Sequence, residues 1–133
     1  MTSKNTDKYT VSVTNRQING GDTEYITESG DGSLRISDGK YYIMYRTDTA
    51  TVMIKIDGDR ANVKRTGESR SDMDYCRGKV TQFDYNTPYG TMKLELFTKK
   101  LEYKLDKCGG VIKLQYDLCD IENNMEIVIK EKR

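Results

Sequence analysis

Arg65 and Arg77 are the side chains whose placement first suggests chemistry. Arg65 stands two positions after Val63, and Arg77 follows Met73 and Tyr75 at the same spacing. If Val63 points into a protein interior, period-two alternation turns Arg65 the same way. A guanidinium keeps its charge when buried, so it must meet a carboxylate, backbone carbonyls or a bound anion. The commonplace outcome is pairing with an acid of a neighbouring strand, or emergence at a rim. The sharper one is an anchor for the carboxylate or phosphate of a ligand. Tyrosine supplies the second candidate group: there are ten, against two Phe and no Trp. A phenol offers an apolar wall with a hydrogen-bonding tip, which suits small-molecule sites. Tyr45, Tyr75, Tyr85, Tyr89 and Tyr116 therefore join Arg65 and Arg77 as candidate ligand contacts. Tyrosine is also a favoured strand residue, so packing alone accounts for many of them.

Other chemistries lack their residues. Histidine is absent, which removes Ser-His-Asp and Cys-His nucleophile systems and His-liganded zinc. Cys76, Cys108 and Cys119 are odd in number and widely spaced, so they read as free thiols of a reducing compartment. A reactive Cys76 would need a basic neighbour, and Arg77 beside it points to the opposite face of a strand. Asp57-Gly58-Asp59 and Asp31-Gly32 lack the rest of a calcium loop and read as turns. Gly20-Gly21 and Gly109-Gly110 precede strands rather than helices, so neither is a phosphate loop. Glu95 and Asp117 alternate with apolar residues and should face water, while Asp72 and Asp74 share a face with Cys76. No catalytic residue, metal ligand set or cofactor is assigned, and the balance argues against an enzyme.

The elements that position these groups are strands. Tyr9–Thr14, Val52–Asp57, Met92–Leu96, Ile112–Leu118 and Met125–Lys130 each alternate large apolar with polar residues, and no window sustains helical spacing. Asn19-Gly20-Gly21-Asp22, Asp31-Gly32, Asp38-Gly39, Asp57-Gly58-Asp59 and Cys108-Gly109-Gly110 punctuate the runs as hairpin turns. The spacing predicts strands near 8–17, 22–29, 33–37, 40–47, 50–57, 60–66, 70–77, 79–86, 90–98, 100–107, 110–120 and 124–131. Some neighbours should merge into long bent strands, leaving about 8–10. Pro88, the lone proline, must sit at a corner, because it cannot donate to a ladder.

At 133 residues the chain suits one domain over 1–133, with a polar, flexible lead at 1–7. The net charge is +1 with mixed signs throughout, so a nucleic-acid partner lacks its electrostatic attraction. No run reaches the length of a membrane helix, and the N-terminus lacks the apolar stretch of a signal peptide. A cytoplasmic location is expected, with no membrane partner.

Thr87-Pro88-Tyr89-Gly90-Thr91-Met92-x-Leu94-x-Leu96-x-Thr98 resembles the central motif of the YwiB-like proteins. Gly39–Tyr45, Val63–Gly67 and Gly110–Leu118 fit the same pattern, so the likeness spans about residues 9–131. It departs after Tyr45, where Arg46 and Thr47 stand in place of an acid common in the family. The resemblance implies an all-β fold: an antiparallel closed β-barrel, calycin- or lipocalin-like, whose interior could hold a small ligand. It implies no activity. The expected function is thus a non-catalytic barrel binding a small amphipathic or anionic ligand. The ligand's apolar part would lie among Met92, Leu94, Ile112, Leu114 and Tyr116, with Arg65 or Arg77 meeting its charge. The alternative is a structural or protein-interaction barrel whose interior is filled by its own side chains. An open edge would allow a homodimer through strand pairing.

Overall fold

Every regular element in the computed structural model is a strand among the residues it describes, 8–68 and 70–132. The lead at 1–7 lies outside the described residues. In chain order the strands are β1 (Tyr9–Asn19), β2 (Asp22–Ser37), β3 (Lys40–Arg46), β4 (Ala50–Asp57), β5 (Arg60–Gly67), β6 (Ser71–Cys76), β7 (Val80–Thr87), β8 (Gly90–Asp106), β9 (Gly109–Leu118) and β10 (Ile121–Glu131). They form one ten-stranded antiparallel sheet in the order β6-β5-β4-β3-β2-β1-β10-β9-β8-β7. First and last strands pair through Val11–Ile129 and Val13–Ile127, which curls the meander into a nearly closed barrel.

Closure fails only partly, at β6 and β7. The turn Arg77–Lys79 joins them, with Lys79 N–H donating to the Cys76 carbonyl at 2.9 Å. Thr81 Oγ1 then donates to the Asp74 carbonyl at 2.5 Å. No ladder joins the two strands among the described residues, and beyond this point they splay into a seam.

Alternation does the sorting that the sequence implies. Val11, Ile43, Val52, Ile56, Leu96, Ile112 and Ile129 are each no more than 2% exposed, and all point into the barrel. The neighbouring positions Ser12, Met53, Lys55, Glu95 and Lys113 face water. Leu114 is buried and Leu94 packs against the same cluster.

Three of the differences from the sequence expectation have a clear physical reason. Segments 22–29 and 33–37 are one strand, β2, because Asp31-Gly32 is not a turn. A Cβ at Gly30 would stand 1.9 Å from the Arg46 carbonyl oxygen, and one at Gly32 would stand 1.8 Å from that of Met44. Glycine here lets two backbones approach closely. Segments 90–98 and 100–107 also merge, as β8, through a register shift between Thr98 and Lys100. Finally, β9 stops at Leu118, because Cys119 and Asp120 take φ of 51° and 67°. That pair closes a two-residue hairpin of the mirror-image type without any glycine to announce it.

Candidate functional site

The polar side chains inside the barrel collect at one end, where the β1–β2, β3–β4, β5–β6 and β9–β10 connections lie. Glu28 of β2 stands three positions before Asp31, whose pairing with Arg46 ends the β2–β3 ladder. It receives two hydrogen bonds from Arg65 of β5, from Nη1 to Oε2 at 3.0 Å and from Nη2 to Oε1 at 2.5 Å. Tyr45 Oη donates to the same Oε2 at 2.7 Å. The hydrogen bonds from Arg65, then that from Tyr45, hold the Glu28 carboxyl below its ordinary range against the opposing effect of burial. Glu28 in turn raises the Arg65 guanidinium, and burial followed by Glu28 raises the Tyr45 phenol. The guanidinium is therefore fixed in place, as a bidentate pair requires.

A second polar group lies on the neighbouring strands. Asn123 Oδ1 accepts from Asn15 Nδ2 at 3.0 Å and from Gln17 Nε2 at 2.9 Å, while Asn123 Nδ2 donates to the Ile121 carbonyl at 3.0 Å. Tyr75 and Tyr116 meet edge to face, centroids 4.9 Å apart, and burial raises both phenols. All of these are buried or half-buried.

Of the sequence candidates, the fold brings together Tyr45 with Arg65, through Glu28, and Tyr75 with Tyr116. The others lie elsewhere. Arg77 does not point inward: β6 ends at Cys76, so alternation no longer governs it. It sits in the β6–β7 turn, exposed, with Nη2 at 2.8 Å from Asp59 Oδ1. Tyr89 is 98% exposed and Tyr85 48% exposed on the β7–β8 hairpin, whose tip is Pro88-Tyr89, closed by the pair Thr87–Gly90. Met92, paired with Tyr85, is likewise exposed. Glu28, Asn15 and Asn123 were not singled out from the sequence. The parity that placed Arg65 inward could have found Asn15 and Asn123, two positions from Val13 and Met125.

Where β6 and β7 splay, a cleft of about 710 Å³ opens, lined by Lys64, Arg65, Arg70, Asp72, Phe83 and Lys93, among others. Arg65 thus has Glu28 on one side and this cleft on the other. Two of its five N–H groups go to Glu28, which leaves the rest for another acceptor. The carboxylates at the cleft are already engaged. Asp84 takes Lys93 Nζ at 2.9 Å, and Asp72 and Asp74 each accept from Asn62 Nδ2 at 2.8 Å. Phe83 adds an apolar wall, itself buried. Among the described residues, no cluster of three or more Cys, Asp or Glu side chains could hold a metal ion.

Comparison with known proteins gives a family and a fold. The model of a family described as a domain of unknown function (DUF1934) matches residues 11–127. The crystal structure of the ywiB protein from Bacillus subtilis is similar with a TM-score of 0.84, at 23% identity, over 94% of this chain and 92% of that one. That likeness is one of fold. Among curated proteins none matches. The chain belongs to the DUF1934 family.

Proposed function

We propose that this DUF1934 member is a non-catalytic, calycin-type barrel that binds a small amphipathic anion at the β6–β7 seam. The observation that carries this reading is the position of Arg65. It is a half-buried guanidinium oriented by Glu28 and Tyr45, with its remaining donors available at a cleft of about 710 Å³. Lys64 and Arg70 add cationic charge around it, and Phe83 offers an apolar surface for the body of the ligand. A carboxylate or phosphate monoester carried on a ring or short chain matches those features. The sequence places the ligand's apolar part among Met92, Leu94, Ile112, Leu114 and Tyr116. Ile112, Leu114 and Tyr116 instead pack into one buried cluster with Val11, Ile43 and Leu96, Leu94 lies against it, and Met92 is exposed, so the proposed site moves from the barrel axis to the seam.

The thiols of Cys76, Cys108 and Cys119 are free and support a reducing, cytoplasmic setting. No described helix is long and apolar enough to cross a membrane.

Native mass spectrometry of freshly purified full-length chain tests the proposal. A bound anion of a few hundred daltons, released on denaturation and missing from Arg65→Met, is the expected result. A bare polypeptide mass, or an adduct retained by Arg65→Met, counts against it. A second reading, an interaction barrel with a filled interior, is favoured by the β7–β8 hairpin, which exposes Tyr85, Tyr89 and Met92.

A further inference from the structure

The outer face of β2–β5 carries a second and different arrangement. Alternation puts Ser33, Arg35, Tyr42, Met44, Met53, Lys55, Asn62 and Lys64 on that face, and the ladders align them in two adjacent rows. One row runs Ser33–Met44–Met53–Lys64 and the other Arg35–Tyr42–Lys55–Asn62. The two methionines and the tyrosine ring make an apolar floor. Met53 is 52% exposed, although its face of the strand is otherwise polar. Cations surround this floor. The Arg35 guanidinium lies 4.6 Å from the Tyr42 ring centroid and Lys55 Nζ lies 5.9 Å from it. Lys64 ends one row, and Lys8 lines the groove from the start of the chain. The whole makes a concavity of about 730 Å³ with no carboxylate in its lining. Asp72, opposite Lys64 in the β5–β6 ladder, and Asp74 both take the Asn62 amide at 2.8 Å and stay outside the groove.

An apolar floor lined by cations and no carboxylate is expensive to leave bare and repels other cations. Its chemical complement is a molecule with an apolar body and an anionic head. We infer that this groove binds a single-chain anionic amphiphile, a medium-length fatty acid anion or its phosphate analogue. The chain would lie across Met44 and Met53, and the head would rest among Arg35, Lys55 and Lys64. Four strands at about 4.8 Å spacing give a floor roughly 14 Å long, which matches an extended acyl chain of medium length. Methionine suits such a surface because its flexible, polarisable side chain adapts to a chain without fixed shape. Lys64 borders both this groove and the seam cleft, whereas Arg65 points inward and plays no part in the groove.

Titration calorimetry of the full chain with dodecanoate, below its micelle concentration, tests the inference. Saturable one-to-one binding is expected, weakened tenfold or more by Met53→Glu and by Lys55→Glu, and unchanged by Arg65→Met. Dodecyltrimethylammonium, with the same tail and the opposite head, should not bind. Met53 and Lys55 are exposed, so both variants should keep the wild-type melting temperature. Should Met53→Glu nevertheless unfold, Met53→Gln and Lys55→Gln read the same contacts. No binding of dodecanoate, equal binding of the cationic amphiphile, or affinity unmoved by the groove variants would overturn the inference. So would binding only to vesicles of anionic phospholipid, which would make the face a membrane contact.

Discussion

Arg65 and Glu28 form a bidentate ion pair although β3 and β4 separate their strands in the sheet. The pair is possible because the sheet curls, so that β2 and β5 face each other across the barrel end. Tyr45, on the intervening β3, reaches the same carboxylate. One acid thus ties together β2, β3 and β5, the last of them 37 residues away along the chain.

That pair sets a pH dependence with a definite sign. The Glu28 carboxyl is depressed in the folded state, so the pair contributes stability above the ordinary carboxylate range. The contribution is lost as pH falls through the folded-state value. Glu28→Gln should cost about 1–2 kcal/mol at neutral pH, and the gap to wild type should narrow below about pH 4. Urea unfolding at a series of pH values measures this. A gap that stays constant into acid would mean the charge on Glu28 contributes nothing.

Asn123 accepts from two amides while itself nearly fully buried. Asn123→Leu strands the Asn15 and Gln17 donors and should destabilise by about 1–3 kcal/mol, despite adding apolar surface to the interior. Thermal unfolding decides. A neutral or stabilising outcome would show that water satisfies those amides.

Gly32→Ala should be far more damaging than Gly21→Ala. A Cβ on Gly32 meets the Met44 carbonyl at 1.8 Å, whereas nothing lies within 4 Å of one on Gly21. The backbone shift that relieves such a clash costs roughly 1–3 kcal/mol or more. Comparable melting temperatures for the two variants would contradict the close approach of β2 and β3.

These particulars show what the sequence could carry. Alternation specified the strands and the inward direction of Arg65, because side-chain period is a local property, while the hairpin signals and the family resemblance supplied the antiparallel barrel. The end of β6 was not legible. Arg77 continues the pattern of Met73 and Tyr75, yet the chain has already turned at Cys76. Nor was the Cys119–Asp120 turn, since a lone Asp beside a Cys marks positive φ far more weakly than a glycine does. Glu28 escaped notice for another reason. Its partner is chosen by the curl of the sheet and lies 37 residues away.

The seam makes a prediction about motion. Hydrogen bonding between β6 and β7 is confined to their turn end among the described residues, whereas β1 is paired on both sides. Amide exchange should therefore be fastest along the seam-facing edges of β6 and β7 and slowest in β1 and β10. Protection of β6 equal to that of β1 would indicate a closed seam.

The most direct test of the seam as a binding site is an NMR titration of isotopically labelled full-length chain with phenyl phosphate. That probe joins an aromatic body to an anionic head, the counterparts of Phe83 and Arg65. Saturable shifts are expected for amides in 64–66, 71–74 and 82–84, abolished in Arg65→Met and retained in Lys55→Glu. Shifts scattered over other strands, or a response that survives Arg65→Met in a folded protein, would contradict it.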